Sequence, residues 1–113
     1  MGLAEKHCVP CEGGITPMSE QEEDQYIKEV SDWQLARDGE HKIRKDFKLE
    51  DFEKAIKFVD EVAEIAEEEG HHPDICIHYN KVDLELNTHA IGGLHENDFI
   101  MASKIDRLFE DAR

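Results

Sequence analysis

Residues 70–89 read GHHPDICIHYNKVDLELNTH, and the order of residue types in this stretch decides the fold. Gly70 closes a helical pattern, because the left-handed position after a helix favours glycine. Pro73 pushes the residue before it out of helical geometry, so His72 is expected to be extended and held. Ile75, Ile77 and Tyr79 then alternate with their neighbours as one strand. Val82, Leu84 and Leu86 alternate with Asp83, Glu85 and Asn87 as the next, with one wet face. Asn80-Lys81 is the expected tight connection. Antiparallel pairing sets the start of one strand beside the end of the other, so His72-Pro73 and Thr88-His89 should be neighbours in space.

Upstream, Phe52, Ala55, Ile56, Val59, Val62, Ala63 and Ala66 recur at three and four residues and predict a helix over about 50–69. Phe58 and Ile65 form a second apolar stripe on it. A helix apolar on two sides must bury both, so the second stripe predicts an oligomer through this helix. Before it, Ser19 and Glu22 form a capping box that starts a short helix to about Val30. Trp33 and Leu35 alternate as a strand. Asp38-Gly39 is a turn pair of the kind that closes hairpins. Ile43, Phe47 and Leu49 share one parity of a second strand, where Lys45 suggests an edge or a strand end. Downstream, a Gly92-Gly93 loop leads to a last helix over about 96–111. The order is α-β-β-α-β-β-α. It predicts an α+β fold, a four-stranded antiparallel sheet with helices packed on one face.

The chain has 113 residues, which suits one domain. Residues 1–17, with Pro10, Gly13, Gly14 and Pro17, read as a flexible N-terminal arm, and 18–113 as a single domain. The formal net charge is -15, which argues against direct nucleic-acid binding and against an anionic membrane surface. No apolar run reaches the roughly 20 residues of a membrane span. No secretory signal is visible at Met1–Lys6, and Lys6 breaks the myristoylation pattern begun by Gly2. An odd set of cysteines, Cys8, Cys11 and Cys76, fits a reducing compartment, and a cytoplasmic location is expected. Cys8-Val-Pro-Cys11 lacks the second pair of a zinc site and reads as a dangling thiol pair. Cys76 reads as strand packing.

His71, His72 and His89 are the candidate catalytic residues. His71 and His72 leave a helix end at a fixed angle. His89 continues the parity of Asp83, Glu85 and Asn87 and is expected to end the fourth strand. Imidazoles titrate where proton transfer at neutral pH needs them. Glu67 and Asp98 are placed to orient them. Any one of these histidines alone would read as a surface or capping residue; three beside a proline-fixed loop point to function. Zinc ligation by the same histidines with Asp98 is the rival reading. Adjacent residues rarely aim both rings at one ion, so acid–base use is the stronger reading. No phosphate loop is present, and no serine has the context of a nucleophile.

The spaced set Glu67, His71-His72-Pro73, Tyr79, His89 and Asp98, with Thr88-His-Ala-Ile-Gly-Gly-Leu94, resembles the signature of the pterin-4a-carbinolamine dehydratase family. The resemblance extends from about Thr16 to Asp111, and 18–113 is then a pterin dehydratase-like domain. It implies a four-stranded α+β fold and dehydration of 4a-hydroxytetrahydropterin to quinonoid dihydropterin, serving an aromatic amino acid hydroxylase pathway. By the resemblance, His71 and His89 carry acid and base roles and His72 mainly holds the substrate. Glu67, Pro73, Thr88, Ala90, Ile91 and Asp98 surround the pterin, and neither a metal nor an organic cofactor is implied. It also implies a homodimer or homotetramer with the central helices bundled. The alternative is a non-catalytic interaction protein, a dimerisation cofactor using the central helix. One departure is His95, where the family often has Thr; His is a poorer helix cap, so Asp98's placement is the point to check. His95 is also a candidate fourth imidazole near the pocket.

Overall fold

The computed structural model describes residues 2–9 and 15–112. Cys11, and with it the expected Cys8–Cys11 pair, lies outside the described residues. The elements are α1 (Glu20–Tyr26), β1 (Gln34–Ala36), β2 (Lys42–Lys48), α2 (Phe52–Glu69), β3 (Asp74–His78), β4 (Lys81–Leu86) and α3 (Glu96–Ala112). Short 3-10 turns at Leu3–Glu5, Ile27–Val30 and His89–Ile91 complete them. The strands form one antiparallel sheet in the order β1-β2-β4-β3. This is the expected α+β order of elements.

Local chemistry starts and stops the helices as read. Ser19 Oγ accepts from the Glu22 N–H at 3.2 Å, and Glu22 Oε1 accepts from the Ser19 N–H at 2.9 Å. Asp51 caps α2 by accepting from the Lys54 N–H. Gly70 ends α2 at φ +68°, in the left-handed region a side chain would strain.

The core lies between the sheet and helices α2 and α3. Ile43, Phe47, Val82, Leu84 and Leu86 of the sheet meet Ala55, Phe58, Val62 and Ala66 of α2 and Phe99, Met101, Ala102 and Ile105 of α3. Phe47 is its centre, with ring centroids 5.1 Å from Phe58, 5.0 Å from Phe109 and 5.9 Å from Trp33.

Several expectations are corrected. Phe58 does not face outward: it is fully buried in the chain's own core. The outward stripe of α2 carries Phe52, half exposed, with Ile56 partly exposed. Both stripes are apolar, and periodicity alone does not say which one turns inward. β2 is not an edge but lies between β1 and β4. Lys45 sits on its helix-facing side because Asp106 of α3 accepts from Nζ at 2.8 Å and the ammonium lies 4.7 Å from the Phe47 ring centroid. The β1–β2 connection spans 37–41 rather than a two-residue turn, since Ala36 pairs with Lys42.

At the other hairpin His78 pairs with Lys81, so the turn residues are Tyr79 and Asn80. Tyr79 is exposed at φ +53° and outside the strand. Cys76 is exposed on the sheet's outer face, not packed. On that face Asp83 lies between Asp46 and Cys76. Burial pushes the Asp83 carboxyl up, and Asp46 opposite pushes it further.

Residues 2–9 were expected to belong to a flexible arm, but the structure gives them specific contacts. Leu3 is buried, the Lys104 ammonium donates to the Ala4 carbonyl, and Glu69 Oε1 accepts from the Cys8 N–H at 2.7 Å.

Phe58→Ala is expected to cost about 3–5 kcal/mol of unfolding free energy, read from denaturant melts, because it empties the centre of the aromatic cluster. A loss below 1 kcal/mol would return Phe58 to the surface role read from the sequence.

Candidate functional site

Asp98 occupies the first turn of α3 and is fully buried. Its Oδ1 lies 2.6 Å from His71 Nε2. Its Oδ2 accepts from the Thr88 hydroxyl at 2.9 Å and from the His95 N–H at 3.0 Å. His95, the departure noted in the sequence, caps the helix after all: its Nδ1 accepts from the Asn97 N–H at 3.1 Å. The Asp98 carboxylate in turn accepts from the His95 N–H, while the Asp98 N–H donates to the His95 carbonyl at 3.0 Å, a variant of the capping box in which the cap side chain takes the N–H one residue earlier. His95 is not among the residues that line the cleft.

The His71 ring therefore stands on a buried carboxylate and is itself 11% exposed. It opens on a cleft of about 280 Å³ whose lining includes Val9, His72, Asn87, Thr88, His89 and Ala90. Of the expected juxtaposition of His72-Pro73 with Thr88-His89, His72 shares the cleft with Thr88 and His89, and His71 rather than Pro73 joins them. The local cause differs in one respect. β4 ends at Leu86, and His89 opens a 3-10 turn rather than closing the strand. The Thr88 N–H donates to the Gly93 carbonyl and the Gly92 N–H to the Thr88 carbonyl, which folds 88–93 into a tight loop. Gly93 is required there because a Cβ would lie 2.8 Å from Pro17.

Each of the other two histidines has its own carboxylate. His72 Nε2 lies 2.6 Å from Glu67 Oε2, so Glu67 serves His72 rather than His71. His89 Nδ1 lies 3.1 Å from Glu40 Oε1, which also accepts from Asn87 Nδ2. Glu40 was not singled out in the sequence. It is brought here by loop 37–41, whose Arg37 and His41 are held by the buried Glu23 at 3.0 and 2.8 Å. Pro73 and Ile91 are half-buried beside the cleft segments but do not line it.

The N-terminal segment forms one wall. The Val9 N–H donates to Asn97 Oδ1 at 3.0 Å, and Asn97 Nδ2 donates back to the Val9 carbonyl. Glu69 anchors the same segment through Cys8 and His7. Burial pushes the Glu69 carboxyl up, but the Cys8 N–H, the His7 ring and the Lys104 ammonium outweigh it and hold it below its ordinary value.

Fold and cleft together define a small α+β protein that presents imidazole–carboxylate pairs to one concavity. The profile of the family described as Pterin 4 alpha carbinolamine dehydratase matches residues 16–108. A protein of Halorhodospira halophila, provisionally named a pterin-4-alpha-carbinolamine dehydratase, is 46% identical over 108 residues, covering 96% of this chain and 98% of that one. A protein of Nitrosospira multiformis with the same provisional name is 46% identical over 96% of this chain and 93% of its own. The crystal structure of a transcriptional coactivator/pterin dehydratase from Brucella melitensis superposes with a TM-score of 0.77 at 33% identity, covering 82% of this chain and 98% of that one. A pterin dehydratase-like protein identified as a RuBisCO assembly factor shares the fold, with a TM-score of 0.59 at 23% identity over 68% of this chain and 88% of that one. The chain belongs to the pterin-4-alpha-carbinolamine dehydratase family.

A depressed carboxyl stabilises the fold above its unfolded pKa, and that contribution is lost as pH falls through its folded value. Docking of residues 2–9 is thus expected to be complete at neutral pH and to loosen in the acidic carboxylate range. Glu69→Gln at neutral pH should reproduce the effect, with faster hydrogen exchange at the Cys8 amide and unchanged exchange in mid-α3. Unchanged exchange at Cys8 would show that Glu69 does not hold the segment.

Proposed function

We propose that this chain is a pterin-4a-carbinolamine dehydratase, a cytoplasmic hydro-lyase that uses its histidines for acid–base catalysis. The observation that carries this reading is the His71–Asp98 pair, a nearly buried imidazole on a fully buried carboxylate at the wall of the cleft.

The reaction removes the hydroxyl from C4a of 4a-hydroxytetrahydropterin and the proton from the adjacent ring nitrogen. A carbon–nitrogen double bond forms and water leaves. With its Nε2–H directed at Asp98, His71 keeps the Nδ1 lone pair for the cleft, and the carboxylate balances the charge when that nitrogen takes a proton. His89, held by Glu40, is the partner that gives a proton to the departing hydroxyl, so that it leaves as water. His72, braced by Glu67, holds the substrate. Thr88 and Ala90 flank the pterin ring, Pro73 fixes the exit of His72, and Asp98 positions His71; Ile91, which the resemblance set beside the pterin, stands behind the cleft wall. The substrate is a small pterin, and the product feeds recycling of the cofactor of an aromatic amino acid hydroxylase. The reading needs no metal or organic cofactor.

Stopped-flow decay of the 4a-hydroxypterin absorbance tests this. Wild type should accelerate the decay with or without chelator, and His71→Ala and His89→Ala should each lower turnover on the order of 100-fold with circular dichroism unchanged. No acceleration by wild type, or full turnover in both variants, would overturn the assignment.

A second reading concerns association. The outward stripe of α2 favours a homodimer or homotetramer through the central helix, because Phe52 is 50% exposed there. The same helix would carry the alternative role of a non-catalytic interaction protein. Phe52→Glu with Ile56→Glu should lower the mass seen by light scattering without unfolding the chain. An unchanged mass would remove the central helix from the interface.

A further inference from the structure

The outer face of the sheet, away from the helices, carries a row of side chains that the dehydratase reading does not use. Cys76 of β3 and Asp83 of β4 are directly opposed, as are Asp83 and Asp46 of β2. His78 stands two residues beyond Cys76 and so on the same face of the strand. Cys76 Sγ lies 3.2 Å from His78 Nε2, and His78 Nε2 lies 3.6 Å from Asp83 Oδ2. One donor atom from each of Cys76, His78 and Asp83 falls within 4.8 Å of the others.

Two features are unfavourable in the absence of a ligand. Asp46 directly opposes Asp83 on the neighbouring strand and disfavours its ionised form, by hydrogen bonding and by like-charge repulsion. Asp83 Oδ1 is buried and accepts no hydrogen bond, the single side-chain atom in that condition among the described residues. An unsatisfied buried carboxylate oxygen is costly unless a donor or cation meets it. His78 and Lys81 both favour the Asp83 carboxylate, but neither meets that oxygen.

We infer that Cys76, His78 and Asp83 form a binding site for a thiophilic divalent cation of the zinc class on the edge of the sheet. Bond lengths of about 2.3 Å to sulfur and about 2.0–2.1 Å to nitrogen and oxygen place tetrahedral ligand atoms roughly 3.3–3.6 Å apart, close to the Cys76–His78 and His78–Asp83 separations of 3.2 and 3.6 Å. The soft thiolate with an imidazole selects zinc over magnesium or calcium. The fourth position is open to water, and the Asp46 carboxylate adds negative charge beside it. β3 is the edge strand and its outer residues are exposed, so the cation reaches the site without any rearrangement of the fold. On binding, the thiol releases its proton to solvent and no electron is transferred.

Cobalt(II) is the probe, added to untagged protein in a Cys8→Ser, Cys11→Ser background that removes the other thiols. The site predicts one cobalt per chain, a thiolate-to-cobalt charge-transfer band in the near ultraviolet, tetrahedral visible bands, and displacement by one equivalent of zinc. Cys76→Ser should abolish the charge-transfer band, and Asp83→Asn should weaken affinity on the order of 10–100-fold or more, both with unchanged circular dichroism. Absence of the band in the double-serine background, or its persistence after Cys76→Ser, would overturn the site. Dehydratase activity is independent of it and should be equal in wild type and Cys76→Ser.

Discussion

A carboxylate removed from water must have its oxygens met by hydrogen-bond partners, and Asp98 meets this condition by drawing three segments together. His71 comes from the exit of α2, Thr88 from the exit of β4, and the His95 N–H from the start of α3. Any shift of one segment would leave a lone pair of Asp98 unpaired at the centre of the fold. The same contacts that settle the register of helix and hairpin therefore also aim the His71 ring. Stability and site geometry are one constraint here, and the cleft inherits its rigidity from the core behind it.

The other two histidines are held differently. Their carboxylates, Glu67 and Glu40, are exposed, so each pair is worth less in free energy than a buried one. What they contribute is direction, and burial is graded across the cleft, with one nearly buried ring beside two exposed ones. The N-terminal segment adds a wall through Val9.

Much of this was legible in the residues because the signals are local. Gly70 and Pro73 bracket the two histidines, the alternation of Val82, Leu84 and Leu86 sets the sheet face, and hairpin geometry alone brings Thr88 toward His72. What was not legible depends on tertiary placement. Glu40 lies in a loop with no pattern of its own and reaches His89 only because buried Glu23 holds Arg37 and His41. Glu69 is one of a run of glutamates, 67–69, that the sequence does not distinguish. Phe58 and Phe52 both sit on apolar stripes of one helix, and only the partner rings Phe47 and Phe109 decide which is inside. Lys45 looked like an edge marker because its partner, Asp106, lies far along the chain. Cys76, read as packing, shares an outer face with His78 and Asp83 only after β3 and β4 pair.

The most direct measurement of the central constraint is nitrogen-15 NMR of the His71 imidazole across a pH titration. Asp98 should keep Nε2 protonated throughout, so that only Nδ1 gains and loses a proton. A neutral ring carrying its proton on Nδ1, with a bare Nε2 toward Asp98, would contradict the account of how this carboxylate organises the site.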